Sequence, residues 1–250
     1  MLKKNDGDIE WLEFELLSQE KGLEHRVYLK HGGCSRGKYA SLNFSMSVGD
    51  NPSDVKASME KISSTLPVRR FVRGNFVHGN RVINIENYST VPSGEFDGMV
   101  TGEKHVGLII THADCQAAVI YDPIRRAVAN VHCGWRGNVA KIYTNAIAMM
   151  ERQYRSNPKD LLVGIAPSLG PDHAEFVNYQ VEFPREFHKF QVKPNHFNLW
   201  EVAREELESC GVLPDNIEIA GICTYSNPED FFSYRRCKRS GRHGTVAVLI

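Results

Sequence analysis

The sequence predicts a single α+β domain, and three observations carry that reading. The 250 residues are 42% hydrophobic, enough for one sizeable core, and no Pro/Gly/Ser-rich linker divides them. Short apolar runs of strand length, bounded by Gly, Pro, Asn and Asp, outnumber segments with a helical period. The strands follow one another closely enough to pair locally as hairpins, with no regular strand–helix alternation. One domain over residues 1–250 is therefore expected, with residues 1–25 carrying little readable signal.

Taken in order, residues 9–22 mix polar and apolar positions and read as a strand or a short helix. A strand at 26–29 runs into the glycine-rich loop His31-Gly32-Gly33-Cys34-Ser35-Arg36-Gly37-Lys38. Ser53 is placed to cap a helix over 54–66, which ends before Pro67. Strands follow at 71–77 and 82–86, with His78-Gly79 between them, then at 99–101 and 108–111. The runs 116–121 and 126–131 flank Asp122-Pro123-Ile124-Arg125 and read as a hairpin. An amphipathic run over 139–154 predicts a helix, as does 198–210, where Leu199, Val202, Ala203 and Leu207 keep the helical period and Gly211 stands at C′. Strands at 161–165, 217–222 and 245–250 complete the pattern. The aromatics Phe176, Tyr179, Phe183, Phe187 and Phe190 fit core packing better than a base-stacking platform.

The chemistry concentrates in residues 111–137, THADCQAAVIYDPIRRAVANVHCGWRG. If the four-residue loop 122–125 closes the hairpin, Tyr121 faces Arg126, Val119 faces Val128, and Cys115 lies opposite His132. Opposed residues of antiparallel strands share a face at a Cβ separation of about 4.5–5.5 Å. A thiolate beside an imidazole is half of a tetrahedral zinc site; a buried thiol beside a hydrogen-bonded histidine has the same pattern. After His132 the chain reads strand, glycine-rich turn, helix. Arg136 in that turn, with unpaired helix-terminal N–H groups, suits an anion such as phosphate, although an ordinary turn with a solvated arginine has the same residues. Asp97 reads as a residue supporting the site or as a turn residue.

These motifs resemble those of the YfiH family, also called the laccase-domain or polyphenol-oxidase-like family. HADC, HCGWRG, VHG at residues 77–79 and FFSYRR at 231–236 occur in the family's order from about Val27 onward. The resemblance implies layered mixed sheets flanked by helices, with a metal at strand ends in a cleft. It implies Zn²⁺ on His78, Cys115 and His132, with copper as the alternative ion. It also implies purine nucleoside phosphorylase activity with adenosine deaminase activity, on adenosine, inosine and S-methyl-5′-thioadenosine. Purine nucleosides and phosphate would be the partners, Arg36, Ser41, Asn43, Arg235 and Arg236 would contact substrate, and Asp114, His112 and Arg136 would act in catalysis. The chain departs from the family pattern at His112 where members carry Thr, at Cys133 where they carry Ala, and at Phe76 where they carry Gln. His112 and Cys133 are thus additional candidate ligands.

Other classes are bounded by the same residues. Lys plus Arg and Asp plus Glu are 30 each, so no general electrostatic attraction to nucleic acid or anionic membrane is expected. The basic group Arg235, Arg236, Lys238, Arg239, Arg242 and His243 reads as a solvated face or a phosphate clamp, with Arg235 or Arg236 reaching the site and the others staying outside. Neither a Walker nor a dinucleotide fingerprint is present. Charges interrupt the N-terminal segment, no apolar run approaches a membrane span, and the six scattered cysteines lack a C-x-x-C pair, so a cytoplasmic protein with free thiols is expected. Three readings compete: a zinc enzyme with an open coordination position, a Cys-His hydrolase using Cys115 and His132, and a binding module with structural zinc. Copper-dependent polyphenol oxidation is a fourth, and multicopper chemistry needs many more clustered histidines.

Overall fold

The computed structural model describes residues 1–86 and 94–250. One sheet joins β1 (Leu2–Asp6), β2 (Ile9–Glu13), β3 (Leu23–Tyr28), β4 (Arg70–Arg73), β7 (Val106–His112) and β14 (His243–Leu249) in the order β1-β2-β3-β14-β7-β4. The other joins β5 (Val82–Asn84), β6 (Gly98–Thr101), β8 (Gln116–Asp122), β9 (Ala127–Cys133), β10 (Leu162–Ile165) and β13 (Ile217–Ile219) in the order β13-β10-β8-β9-β6-β5. A small ribbon pairs β11 (Gln191–Lys193) with β12 (His196–Phe197). The helices are α1 (Pro52–Ser64), α2 (Trp135–Val139), α3 (Ile142–Tyr154), α4 (Tyr179–Glu182) and α5 (Leu199–Ser209).

The two sheets pack face to face. Val27, Leu108, Ile110 and Ala247 of the first meet Met99, Ala117, Val119 and Val128 of the second. Helix α1 covers the outer face of the first sheet through Ile62, against Ile109, Val246 and Val248. On the second sheet, α3 and α5 bring Ile142, Ala146, Ile147, Met150, Ala203 and Leu207 onto Val100, Ala129, Val131 and Val163. Strands β8, β9 and β14 are covered on both faces and buried at every position, so their runs are mostly apolar and their few polar side chains mark internal hydrogen bonds or the candidate centre. The architecture is the layered α+β arrangement expected.

Pairing is less local than hairpins alone would make it. Strand β14 sits between β3 and β7, antiparallel to both, and β4–β7, β5–β6 and β10–β13 are parallel. The β8–β9 register also differs from expectation, since Tyr121 faces Val128 and Ala117 faces His132. The cause is Asp122: its Oδ1 accepts the N–H groups of Ile124 and Arg125 at 2.9 and 2.8 Å. That Asx turn lets Asp122 finish the strand opposite Ala127, and Arg126 turns the chain at φ 53°. A shift of two residues keeps every side chain on its face. Cys115 therefore lies diagonal to His132, on the same side.

Other boundaries move for local reasons. Asn51, with Pro52 at the first helical position, caps α1 in place of Ser53, its Oδ1 accepting the Ser53 N–H. The predicted 139–154 helix starts earlier, at Trp135, and is broken at Lys141, which takes φ 58°. Strand 71–77 ends at Arg73 because the chain then leaves the sheet toward Asp97.

His25 gives the fold a pH dependence. It is 3% exposed, stacks on Phe14 with ring centroids 5.6 Å apart, and its Nε2 accepts the Phe14 N–H at 2.8 Å. Burial lowers its pKa to about 4, and burial likewise lowers that of His243 to about 3. A histidine in the unfolded chain takes up its proton near pH 6.5. Stability from these neutral rings is therefore complete above about pH 6.5 and is lost as the pH falls toward 4. Denaturant titrations across that range should show the decline, with a shallower slope in His25→Gln; an unchanged slope would remove His25 from the account.

Candidate metal centre and its cleft

The candidate centre forms where the chain passes from one sheet to the other. Strand β7 ends the first sheet at His112, Ala113-Asp114-Cys115 crosses over, and β8 begins the second at Gln116. His132 stands near the end of β9, and the loop after β4 brings His78 alongside. The ligand atoms of His78, Cys115 and His132 lie within 4.8 Å of one another.

Asp97, fully buried just before β6, organises this group. Its Oδ1 accepts from His132 Nδ1 at 2.8 Å and from the His78 N–H at 2.9 Å. Its Oδ2 accepts the N–H groups of Val77 and Gly79 at 3.2 and 2.8 Å. Burial alone would raise this carboxyl, but His132 and the Gly79 and His78 amides hold it below the usual range. With Nδ1–H given to Asp97, the His132 Nε2 lone pair is left for a metal, the usual role of such a carboxylate. Phe76 stacks on the same ring at 5.1 Å and 28°.

The electrostatics suit a thiolate. Burial pushes the Cys115 thiol up, yet His132 and His78 beside it bring it down to about 6. Burial pushes His132 down, and Cys115 and Asp97 more than reverse this, to about 9. Without a cation between them the two form a thiolate–imidazolium pair. Glycine is required where the chain turns beneath them: a Cβ on Gly134 would stand 2.8 Å from His78 Cδ2 and 3.2 Å from Cys115 Sγ. Two imidazoles and a thiolate are a donor set that zinc accepts.

The additional candidates lie differently. His112 is buried with both ring nitrogens engaged, Nδ1 with the Cys115 carbonyl at 3.1 Å and Nε2 with Thr245 Oγ1 at 2.8 Å, and burial lowers its pKa well below the ordinary value. It supports the Cys115 backbone. Cys133 points to the opposite face of β9, into the α3 core, where burial pushes its thiol far up. Asp114 takes φ 81°, and its carboxylate accepts the Thr224 hydroxyl at 2.7 Å and the Arg235 N–H at 2.5 Å.

A cleft of about 1050 Å³ opens over the centre, lined by His78, Asp114, Cys115, His132, Trp135 and Arg136 among others. Arg36, Ser41 and Asn43 are not part of its lining. Arg36 is exposed. Ser41 closes its own loop through Gly33 N–H and Lys30 O, and Asn43 braces Ser45, Asp50 and the Arg242 N–H. The basic group also divides in an unexpected way. Arg235, Lys238, Arg239 and Arg242 all line the cleft, whereas Arg236 spends its guanidinium on the carbonyls of Thr224, Tyr225 and Phe231, and His243 is buried. Arg73, unmarked by any motif, lines the cleft as well; only the end of a strand near the site could have signalled it.

The family model described as multi-copper polyphenol oxidoreductase laccase matches residues 24–250. The chain belongs to this family. A relative in Bacteroides thetaiotaomicron named purine nucleoside phosphorylase is 30% identical over 94% of each chain. Two other relatives bear the same activity in their names, YlmD of Bacillus subtilis and YfiH of Escherichia coli. Both are 28% identical, covering 88% and 93% of this chain and 85% and 96% of their own. The crystal structure of YlmD from Geobacillus stearothermophilus matches 99% of this chain and 98% of its own with a TM-score of 0.87 at 24% identity, which shows the shared laccase-family fold. Among the described residues no helix is long and apolar enough to cross a membrane.

Asp97→Asn tests the organisation of the centre. An amide cannot accept at both of its termini, so either the His132 ring or the Val77 and Gly79 amides lose their acceptor and the His78–His132 arrangement loosens. Metal affinity, measured by competition with a chromogenic chelator, should fall by about 10–100-fold, and a wild-type affinity would mean that Asp97 is only a turn residue.

Proposed function

We propose that the chain is a zinc-dependent purine nucleoside phosphorylase, acting on adenosine, inosine and S-methyl-5′-thioadenosine, with adenosine deaminase activity at the same site. The observation that carries it is the His78–Cys115–His132 donor group at the floor of a cleft whose walls present Arg136 and Arg235. The names of the relatives support its purine nucleoside phosphorylase part.

In the proposal the three side chains hold Zn²⁺, which when bound supplies Lewis acidity and a water of lowered pKa. Asp97 keeps His132 in the ligating tautomer. Arg136, carried by α2 and lying over Trp135 at 4.2 Å, holds phosphate for attack at C1′ of the ribose. Arg235 lies over Phe176 at 5.6 Å and completes that wall. Asp114 faces the cleft with its carboxylate held by Thr224 and Arg235, and carries the proton that the departing purine or the C6 amino group requires. His112 acts through the Cys115 carbonyl.

The Cys115–His132 ion pair also favours a second reading, a cysteine hydrolase. The two separate cleanly. As a zinc phosphorylase, the enzyme loses activity on chelation and regains it with zinc; as a thiol hydrolase it resists chelation and is killed by alkylation. Multicopper oxidation has less support, since the other group of potential ligands among the described residues is Glu10, His31 and Asp230, with one histidine.

Incubation with adenosine, with and without phosphate, followed by product separation, should give adenine and ribose 1-phosphate only with phosphate, and inosine in either case. Cys115→Ala should abolish both together with stoichiometric zinc. Arg136→Lys keeps the charge but not the fork and should raise the KM for phosphate by about tenfold or more. A zinc-loaded enzyme that forms none of these products refutes the assignment.

A further inference from the structure

The cleft holds more positive charge than one inorganic phosphate and a neutral nucleoside need. Among the described residues Arg73, Arg136, Arg235, Lys238, Arg239 and Arg242 line it, against the single carboxylate of Asp114. This concentration contrasts with a chain whose formal net charge is zero.

These residues are anchored on two different walls, Arg136, Arg235 and Arg73 through their guanidinium groups and Arg242 through its backbone. Arg136 lies over Trp135, whose ring meets Phe176 edge-on at 6.1 Å, and Arg235 lies over that same Phe176 and donates to the Glu175 carbonyl. Arg73 and Arg242 belong instead to the segment 43–45. Arg73 Nη1 donates to the Phe44 carbonyl at 2.8 Å, the Arg242 N–H donates to Asn43 Oδ1 at 2.9 Å, and the Phe44 N–H donates back to the Arg242 carbonyl at 3.0 Å. Ser45 and Ser47, their hydroxyls 3.0 Å apart, line the cleft beside them.

Neither Arg73 nor Arg242 makes an ion pair with a carboxylate among the described residues. Arg242 is half-buried, and its Nη1 meets only the Ser240 and Gly241 carbonyls at 2.8 and 3.0 Å. Those carbonyls and the Tyr234 ring, whose centroid lies 5.5 Å from the guanidinium carbon, solvate the charge, but no carboxylate among the described residues neutralises it. An arriving phosphoryl group offsets it, through bidentate N–H donors and serine hydroxyls.

We propose that Arg73 and Arg242, with Ser45 and Ser47, form a second anion subsite, and that the cleft takes a nucleoside monophosphate alongside the inorganic phosphate held by Arg136 and Arg235. This rests on the nucleoside reading above and narrows its substrate class. Lys238 and Arg239, both exposed at the rim, add attraction for the doubly anionic ligand.

Calorimetric binding to the zinc-loaded protein tests it, with adenosine, adenosine 5′-monophosphate and pyrophosphate as probes at saturating inorganic phosphate. The monophosphate should bind at least tenfold tighter than adenosine. Arg73→Gln and Arg242→Gln, each confirmed folded by thermal melting, should remove most of that advantage while adenosine affinity changes by less than about threefold. Equal affinities in the unaltered protein overturn the subsite. So does an advantage that saturating phosphate abolishes, which places both anions at Arg136, or one that survives both substitutions, which places the phosphoryl group on the metal. Pyrophosphate binding that matches the monophosphate and excludes it without excluding adenosine supports a phosphoryl-specific pocket. The separate assay of phosphate-dependent base release tells the fates apart: release from adenosine with no tighter monophosphate binding leaves the phosphorylase reading standing and the subsite refuted.

Discussion

Everything at the candidate centre hangs on one buried carboxylate with four donors. Asp97 accepts from an imidazole and three consecutive backbone amides, so its charge is satisfied without water. Hydrogen bonds to a charged acceptor contribute about 1.5–3 kcal/mol each, enough together to exceed the desolvation of one carboxylate. What they secure is unfavourable in isolation: His78 sits at φ 62°, a conformation that a non-glycine residue adopts only when its surroundings impose it. The Asp97 carbonyl also accepts the His132 N–H at 2.7 Å, so backbone and side chain together tie the loop before β6 to the end of β9.

The sheets then explain why the ligands converge here. β7 and β8 are consecutive in the chain but belong to different sheets, so the three residues between them must cross the interface. Asn130 fastens that interface from within, its Nδ2 donating to the carbonyls of Leu108 and Thr245 at 2.9 Å each. A crossing held this firmly presents Asp114 and Cys115 at a fixed angle to His132. Rigid strands, covered on both faces, supply the precision, and the loops above them supply the variety of charge.

Much of the centre was legible because its chemistry is contiguous. His112 through Arg136 spans one hairpin and its flanks, and a register error of two residues leaves Cys115 and His132 on the same face. Gly211 and Asn198 marked α5 because capping is local. Asp97 was legible only as one of two alternatives and Arg73 not at all, since each acquires its neighbours only when β4, β6 and β9 are assembled. The loop carrying Ser41 and Asn43, assigned to substrate by the family resemblance, uses their hydrogen bonds to hold the chain that presents Ser45 and Arg242. Arg236 likewise looks available in sequence and is spent on three carbonyls.

The position of β14 in the first sheet bears on how the molecule is made. This strand is synthesised after the other described strands, yet it is the partner of both β3 and β7, and its Thr245 receives contacts from His112 and Asn130. Until it leaves the ribosome, β3 and β7 have exposed edges facing one another across a gap, and the floor beneath Cys115 is missing. Contacts this distant in sequence also form slowly. The second sheet and α3 can condense earlier, so the nascent chain passes through a stage in which Cys115, His78 and His132 are tethered without the support that β14 gives them.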